Sequence, residues 1–163
     1  MLENGQVSLR FETGLLKDVL EKAILTVQAG NARVLTVHRN LDEPLTLTTD
    51  LDRLGQVFIN LIANAGKYCD AAAPELKISV QLDGADTSVV FADNGTPIPE
   101  VGRALIFEKF ARISDQDGSG AGLGLAICRE IMTRLGGDVS YEPGRAGNTF
   151  IVHLPRQKAL AAQ

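Results

Sequence analysis

The chain has 163 residues, of which 45% are hydrophobic and 22% charged, a length and composition that suit one soluble domain with a sizeable core. Its formal net charge of −4 and the absence of a basic patch argue against a nucleic-acid partner. No apolar run is long enough to span a bilayer, the first residues lack a signal-peptide pattern, and two cysteines, Cys69 and Cys128, do not make a disulfide framework.

Hydrophobic periodicity predicts the secondary structure along the chain. Strands are predicted where apolar and polar residues alternate, and helices where apolar residues recur every three or four positions. In chain order, these patterns predict a strand over 7–12, a helix over 15–29, strands over 33–39 and 45–49, a helix over 53–70, strands over 76–82 and 87–92, a helix over 123–135, and strands over 138–142 and 149–154. Asp50 is a good N-cap for the second helix.

The order of these elements indicates an α+β fold. Three amphipathic helices need a common apolar surface, and one sheet provides it. We therefore expect a single domain over residues 1–163, built as a two-layer α/β sandwich with three helices on one face of a mixed, mostly antiparallel sheet of about five strands. The segment over about 94–120 is polar, rich in glycine and proline, and without a sustained period. Long irregular segments of this kind are usually functional, and we expect a flexible lid.

One flank of the helix over 53–70 carries polar side chains beside its apolar stripe. Asn60, Asn64 and Lys67 follow at i, i+4 and i+7, which places them within roughly 60° of one another around the helix axis. Amide oxygens can ligate a hard cation, and a lysine ammonium can meet a phosphate. For this helix taken alone, an ordinary solvated polar face is the alternative.

A second polar cluster, Asp93-Asn94-Gly95, directly follows the strand over 87–92. A carboxylate at the end of a central strand can accept a hydrogen bond from an exocyclic amine, such as that of adenine. Gly95 would let a ligand or a water molecule approach the backbone closely. Taken alone, the same three residues are also typical of an ordinary turn.

A glycine-rich run over 118–124 leads directly into the helix over 123–135. Glycine-rich backbone at a helix N-terminus offers free N–H groups and the positive end of the helix dipole to a phosphate. The run is not a P-loop, because G-x-x-x-x-G-K-[ST] is absent. It is not a dinucleotide fingerprint either, because it does not follow a strand in a βαβ unit.

Four segments, in this order and spacing, resemble the nucleotide-binding boxes of histidine kinase catalytic domains, in the gyrase/Hsp90/histidine kinase/MutL superfamily. The N box, first glycine box, F box and second glycine box resemble residues 60–68, 93–95, 106–110 and 120–125. The ending G-N-T-F-I-V-H-L-P, over 147–155, is similar to the last strand of the family. The resemblance covers about residues 6–156 and implies the Bergerat ATP-binding fold, with ATP and Mg²⁺ as cofactors.

The resemblance also implies roles for individual residues. Asn64 would hold a Mg²⁺ ion that bridges the ATP phosphates, with Asn60 assisting, and Asp93 would bind the adenine amine. The catalytic set implied in this way is Asn60, Asn64 and Lys67. The further implied nucleotide contacts are Lys67, Tyr68, Gly95, Lys109, Gly120, Gly122, Leu123, Gly124 and Leu125. The residues implied in anchoring the lid, or in reaching the γ-phosphate or a partner domain, are Phe107, Phe110, Lys109 and Arg112.

The sequence departs from the family pattern at two positions. Pro97 replaces the second glycine of the first glycine box, and because proline fixes φ and removes an N–H, a stiffer lid hinge is expected. Gly66 stands where the family usually has an apolar residue, at a cost to the helix of about 1 kcal/mol relative to alanine. Neither change removes an implied metal or adenine ligand, so ATP binding is expected to survive.

The residues expected near the phosphates favour phosphoryl transfer over hydrolysis. Gyrase-like relatives place a general-base glutamate at the position of Asn60, and an amide cannot take up a proton, so slow hydrolysis is expected. The two histidines, His38 and His153, lie on predicted strands, where packing or surface roles are expected. The resemblance implies a phospho-acceptor histidine on a dimerisation helix. Since neither His38 nor His153 lies on a predicted helix, that acceptor is expected before Met1.

These observations lead to the hypothesis of an ATP-binding catalytic domain of a two-component sensor histidine kinase. Its expected partners are a histidine-containing dimerisation domain of the same parent protein, in cis or in trans, and indirectly a response regulator. We expect a monomeric fragment of a homodimeric parent, and a cytoplasmic domain whether or not the parent is anchored in a membrane. The alternatives are a degenerate or regulatory nucleotide-binding module that docks a partner, and an anti-sigma-type serine kinase, against which the F box counts.

Overall fold

The computed structural model describes residues 8–30, 34–41, 44–84, 86–103, 105–108, 125–144 and 147–155. Its elements in chain order are β1 (Glu12–Leu15), α1 (Leu16–Gly30), β2 (Thr36–Asn40), β3 (Thr46–Thr49), α2 (Leu51–Tyr68), β4 (Glu75–Asp83), β5 (Asp86–Asp93), α3 (Glu100–Arg103), α4 (Leu125–Arg134), β6 (Asp138–Pro143) and β7 (Asn148–Leu154). None of the helices in these ranges is long and apolar enough to cross a membrane.

Five strands form a mixed sheet in the order β2-β4-β5-β7-β6. The edge strand β2 pairs parallel with β4, and the other three pairs are antiparallel. Strands β1 and β3 form a separate antiparallel ribbon. The predicted α+β class is confirmed, with a sheet of five strands, and the predicted strands over 76–82 and 87–92 pair with each other as β4 and β5.

One face of the sheet is buried beneath the helices. Alternate residues of the central strands have almost no exposed surface, as the period of two requires for a sheet with one covered face. The buried strand residues are Leu76, Ile78, Val89, Phe91, Val139, Phe150, Val152 and Leu154. Phe58 of α2 packs on Phe91 of β5 with ring centroids 5.6 Å apart, which joins the two layers at the centre of the core.

Helix α2 begins at a capped N-terminus. The buried carboxylate of Asp50 accepts hydrogen bonds from the backbone N–H of Arg53 at 3.0 Å and from that of Arg10 at 2.9 Å. The predicted N-cap is therefore confirmed, and the helix starts directly after it. The helix ends at Tyr68, because Cys69 has an extended backbone with ψ at 121°.

The prediction of a strand over 7–12 is wrong for the described residues 8–11. The strand β1 begins only at Glu12, where pairing with Thr49 of β3 becomes available. Alternation alone does not make a strand, because a strand needs a partner for its backbone hydrogen bonds. Phe11, in the same stretch, has 50% of its surface exposed.

The helix α3, the two histidines and the two cysteines can also be compared with the sequence analysis. The short helix α3 lies inside the segment that was expected to be irregular. Both histidines lie on strands at the surface, as expected, where His38 contacts Glu75 at 3.1 Å and His153 contacts Asp86 at 3.5 Å. Cys69 and Cys128 are free thiols, and both are buried.

Candidate functional site

The polar flank of α2 meets helix α4. Asn60 and Asn64 are half-buried, while Lys67 is exposed in the last turn. The side-chain amide of Asn60 donates from Nδ2 to Sγ of Cys128 at 3.7 Å, and this contact joins α2 to α4. With its nitrogen committed to Cys128, Asn60 has an Oδ1 atom that receives no hydrogen bond from the described residues. An amide oxygen in this position is a suitable ligand for a hard cation.

Cys128 is the buried partner of that polar flank. Its thiol also donates to the backbone carbonyl of Val57 at 3.9 Å. Burial raises the pKa of Cys128 to about 12, and the hydrogen bond from Asn60 acts in the opposite direction. The thiol is therefore protonated at neutral pH and acts as a neutral packing group rather than as a nucleophile.

Lys67 and Tyr68 lie next to each other at the end of α2. The Nζ atom of Lys67 lies 5.1 Å from the centroid of the Tyr68 ring, and both side chains are exposed. A lysine in the last turn also interacts favourably with the negative end of the helix dipole. This ammonium group is thus placed at the surface beside the α2 C-terminus.

Asp93 ends the central strand β5 and has one fully engaged carboxylate oxygen. Oδ1 accepts the backbone N–H of Gly95 at 2.8 Å and both the backbone N–H and the side-chain Nδ2 of Asn148 at 3.3 Å. Oδ2 receives no hydrogen bond from the described residues. The protein therefore orients this carboxylate through one oxygen and leaves the other as an acceptor for an N–H donor.

Asn94 and Gly95 lock this turn to the loop that follows α2. Asn94 Oδ1 accepts from the backbone N–H of Glu75 at 2.9 Å and from the Cys69 thiol at 3.2 Å. A Cβ atom on Gly95 would lie 3.1 Å from Sγ of Cys69 and 3.2 Å from Oδ1 of Asp70. The close neighbour of Gly95 is therefore the C-terminus of α2, a role that the turn sequence alone did not indicate.

An open depression of about 370 Å³ lies at this junction. It is lined by Asp70, Ala71, Asn94, Gly95, Thr96 and Pro97. Within its wall, the backbone N–H of Thr96 donates to Oδ1 of Asp70 at 2.8 Å. The α2 C-terminus and the segment after β5 thus form one continuous surface.

Pro97 lies in a segment that hydrogen bonds hold on both sides. Before it, the carbonyl of Thr96 accepts from Nδ2 of Asn148 at 3.0 Å. After it, the backbone N–H of Ile98 donates to Oδ1 of Asn148 at 2.9 Å and to the hydroxyl of Tyr141 at 3.0 Å. The fixed φ of proline is therefore combined with a backbone that is hydrogen-bonded on both sides. The stiffer lid hinge stays a prediction.

Phe107 of the F box is anchored from three elements. The guanidinium carbon of Arg129, on α4, lies 4.1 Å from the ring centroid, within the range of a cation–π contact. The ring also meets Phe150 of β7 edge-on at 6.4 Å, and Arg129 donates to the carbonyl of Val139 on β6 at 3.1 Å. The expected anchoring role of Phe107 thus has a structural basis.

Several predicted site residues lie outside the described part of the chain. They are Lys109, Phe110, Arg112, Gly120, Gly122, Leu123 and Gly124. Leu125 is described as the first residue of α4, and its side chain is buried in the core with 1% of its surface exposed. Among the predicted residues that are described, Gly95 of the turn after β5 lies against Cys69 and Asp70 at the α2 C-terminus, and its N–H donates to Asp93. Asn60 lies further back on α2, where it contacts Cys128 of α4.

Sequence reasoning gave no role to Asn148 and Tyr141, which hold the turn after β5. Asn148 is buried at the start of β7, and its amide contacts Asp93, Thr96, Ile98 and Tyr141. The available signal was a polar amide opening a strand that otherwise alternates, directly after Gly147. The contacts of that amide with Asp93 and with the segment after β5 depend on the pairing of β7 with β5, which the local sequence does not specify.

Comparisons with known proteins identify the family of the chain. The family model described as histidine kinase-, DNA gyrase B-, and HSP90-like ATPase matches residues 49–158. The chain is 35% identical over 161 residues to Sensor protein KdpD of Escherichia coli (strain K12), and 40% identical over 121 residues to Sensor protein VanS of Enterococcus faecium. These matches cover 97% and 72% of the chain, but the chain spans only 18% of KdpD and 31% of VanS.

A solved structure shows the same fold. The catalytic domain of histidine kinase ThkA matches with a TM-score of 0.79 and 28% identity, over 91% of this chain and 97% of that chain. ThkA has also been solved in complex with the response regulator protein TrrA, where the TM-score is 0.74 and the identity 26%, over 90% of this chain and 42% of that chain. The family match over residues 49–158 and the fold shared with the ThkA catalytic domain lead to one conclusion: the chain belongs to the family of histidine kinase-, DNA gyrase B- and HSP90-like ATPases.

Proposed function

We propose that the chain is the ATP-binding catalytic domain of a two-component sensor histidine kinase. In this role it binds Mg-ATP and transfers the γ-phosphoryl group to a histidine on a dimerisation domain of the same parent protein. The observation that carries the proposal is the joining of the α2 C-terminus, Asp93 and α4 through the contacts of Cys69 with Asn94 and of Asn60 with Cys128. In the proposed site, these contacts would hold the adenine and phosphate ends on a single scaffold.

Asp93 is the proposed adenine-binding residue. Its Oδ1 atom is held by three N–H donors, and its Oδ2 atom is open to a further donor. The exocyclic amine of adenine is such a donor. A carboxylate that is already oriented needs no rearrangement on binding, which favours affinity.

Asn64 and Asn60 are the proposed Mg²⁺ ligands. The described residues contain no group of three or more His, Cys, Asp or Glu side chains that could hold a metal ion by themselves. A site with only two amide oxygens suits Mg²⁺, because Mg²⁺ typically takes one or two protein oxygens and completes its coordination shell with phosphates and water. Bound Mg²⁺ would neutralise charge on the phosphates, while the amides of α2 position it.

The phosphate end of the site is completed by residues assigned from the resemblance. Lys67 and Tyr68 at the end of α2 would approach the phosphates or the ribose. The lid and glycine-box residues assigned to the same task are Lys109, Gly120, Gly122, Leu123, Gly124 and Leu125. Transfer between two bound groups depends chiefly on positioning and charge neutralisation, which this set supplies.

The proposed partners follow from the chemistry and from the relatives. A histidine on the dimerisation domain, presented in cis or in trans, receives the phosphoryl group, and a response regulator takes it onward. The complex of ThkA with TrrA supports the second step. We further propose that the isolated domain is monomeric, that its parent is a homodimer, and that the domain lies in the cytoplasm.

The nucleotide part of the proposal is tested by titrating the chain with ATP in a calorimeter, with Mg²⁺ and with EDTA. We expect binding that Mg²⁺ strengthens. Asp93→Asn is expected to weaken ATP binding about tenfold or more, because an amide nitrogen can replace the acceptor oxygen. Asp83→Asn makes the same chemical change at the exposed far end of the β4–β5 hairpin and should leave affinity unchanged.

Asn64→Ala is expected to abolish the difference between the titrations with Mg²⁺ and with EDTA, since the amide oxygen is a proposed metal ligand. Circular dichroism checks that each variant is folded. Wild-type affinity in both Asp93→Asn and Asn64→Ala would show that the nucleotide binds elsewhere, and the absence of any ATP binding by the wild type would exclude the proposed function.

The transfer part is tested with γ-labelled ATP and the dimerisation domain of the parent protein. We expect label that is lost on mild acid treatment, because a phosphohistidine N–P bond is acid-labile, and no label when the acceptor histidine is replaced. Acid-stable label on serine would favour a serine kinase instead. ATP binding without any label would favour a regulatory module, for which the tethered segment around Pro97 is the relevant observation.

A further inference from the structure

Both the Nδ2 and the Oδ1 atoms of Asn148, the first residue of β7, form hydrogen bonds with the segment at and after the end of β5. Only 8% of its surface is exposed. Its Nδ2 atom donates to Oδ1 of Asp93 at 3.3 Å and to the carbonyl of Thr96 at 3.0 Å. Its Oδ1 atom accepts from the backbone N–H of Ile98 at 2.9 Å and from the Tyr141 hydroxyl at 2.5 Å. A neutral amide that is both donor and acceptor is required to make all four contacts at once.

We propose that Asn148 is a positioning residue that sets the preference of this site for a 6-aminopurine over a 6-oxopurine nucleotide. The inference rests on the proposed ATP site and deepens it. By donating to Oδ1 of Asp93, Asn148 fixes the rotation of the carboxylate and leaves Oδ2 as the outward acceptor. An exocyclic amine can donate to that oxygen, whereas a carbonyl in its place would meet it as a second acceptor.

The backbone of β7 fixes Asp93 from the same side. The backbone N–H of Asn148 also donates to Oδ1 of Asp93 at 3.3 Å. A Cβ atom on the preceding residue, Gly147, would overlap the carbonyl oxygen of Asp93, so the chain passes there without room for a side chain. Strands β5 and β7 are sheet neighbours, with Ala92 opposite Thr149, so this contact continues their ladder.

The placement of Asn148 leaves Asp93 little freedom to turn. Three N–H groups meet one oxygen, two of them from Asn148 and one from Gly95 at 2.8 Å. If the carboxylate turned away, the backbone N–H groups of Gly95 and Asn148 would lose this acceptor, and Asn148 Nδ2 would keep only the carbonyl of Thr96. Weakening the hydrogen bonds of buried donors is costly. Selectivity for the amine therefore depends on the donor side of the Asn148 amide as well as on the charge of Asp93.

The test compares ATP with ITP, which carries a carbonyl in place of the 6-amino group. Affinities of both nucleotides are measured by calorimetry for the wild type, Asn148→Ala and Asn148→Asp. The aspartate variant keeps an acceptor for Ile98 and Tyr141 but loses the donor to Asp93 and sets a second carboxylate against it. We expect the ratio of ATP to ITP affinity to fall about tenfold in both variants, the scale of one hydrogen bond to a charged group.

Two controls separate positioning from a general structural effect. Gln81→Glu makes the same amide-to-carboxylate change on an exposed position of β4 and should leave the ratio unchanged. In an Asp93→Asn background, Asn148→Ala should have little further effect on the ratio, because a residue that acts through Asp93 is not additive with it.

The outcomes distinguish this inference from the proposed function. If the wild type prefers ATP while the Asn148 variants lose affinity for both nucleotides equally, the positioning role is overturned and the ATP site stands. The same holds if the effects of Asn148→Ala and Asp93→Asn on the ratio simply add. If the wild type binds neither nucleotide, the proposed function and this inference fall together.

Discussion

Cys128 links the polar flank of α2 to the interior of the molecule at the scale of a single residue. Its side chain has no exposed surface, and its two polar contacts are Asn60 and the carbonyl of Val57. A smaller side chain here would remove packing from the α2–α4 contact and one partner of the Asn60 amide. The proposed metal-site residue and the core are therefore coupled through one thiol.

The raised pKa of Cys128 predicts a loss of stability at alkaline pH. Burial raises the pKa from the ordinary value of 9.0 to about 12, so the unfolded chain releases this proton first. The contribution is fully present below pH 9 and is lost as the pH rises towards 12, by about 1.4 kcal/mol per pH unit. This contribution is measured by urea unfolding of the wild type and of Cys128→Ala between about pH 8 and 11, the range in which the thiol of the unfolded chain loses its proton and that of the folded chain keeps it.

Because the wild type and Cys128→Ala share all other titratable groups, the difference between their free energies of unfolding isolates the contribution of the Cys128 thiol. Cys128→Ala is expected to be less stable at pH 8 because it leaves a cavity, and the difference from the wild type should shrink as the pH rises from about 9. Two stability profiles that stay parallel over this range would show that the thiol titrates normally.

Helix α2 is the element on which both ends of the proposed site depend. Its apolar stripe was readable from the sequence, because i, i+3 and i+4 spacing marks the face that packs on the sheet. Its cap was also readable, since Asp50 is a residue type that favours that position. The contact of the Asp50 carboxylate with Arg10, 40 residues earlier in the chain, could not be predicted from local sequence.

Loss of the cap is expected to destabilise the whole element. Asp50→Ala removes the acceptor of two backbone N–H groups and should lower the free energy of unfolding by about 2 kcal/mol. Asp52→Ala is the matched control, because Asp52 is exposed in the first turn of the same helix and should cost well under about 1 kcal/mol. Urea unfolding monitored by circular dichroism compares the two. Equal losses in both variants would show that helix-dipole charge, rather than capping, governs this terminus.

The site is a property of the whole molecule, because its parts come from strands and helices distant in sequence. The element order and the five-stranded α+β class were predictable from periodicity and from the need of three helices for one sheet. The strand order was not, because pairing β2 parallel with β4 and placing β7 between β5 and β6 are long-range choices. Asp93 could be predicted as a candidate hydrogen-bond acceptor because its turn is a local sequence feature. The contact of Asn148 with Asp93 could not be predicted, because it depends on the long-range pairing of β7 with β5.

The whole chain is expected to bind ATP while hydrolysing it slowly. In the proposed site, Asn60 would stand where water attack needs a general base, and an amide cannot accept that proton. Mg-ATP at about 100 times its dissociation constant should raise the free energy of unfolding by about 2.7 kcal/mol, while phosphate release stays near that of a buffer blank. Thermal unfolding and a phosphate assay on one sample measure both. Sustained phosphate release by the wild type, well above the buffer blank, would contradict the expected slow hydrolysis.

The hydrogen bonds from Asn148 to Asp93 join residues 55 positions apart, and this separation has a consequence for biosynthesis. A chain emerging from the ribosome completes β5 long before β7, so the Asp93 carboxylate lacks two of its three N–H donors until β7 pairs. Such long-range pairing forms late in folding, because closing a large loop costs entropy before its contacts form. The nascent domain is therefore expected to gain nucleotide affinity only when its C-terminal strand is in place, which makes ATP a ligand of the finished fold rather than of its intermediates.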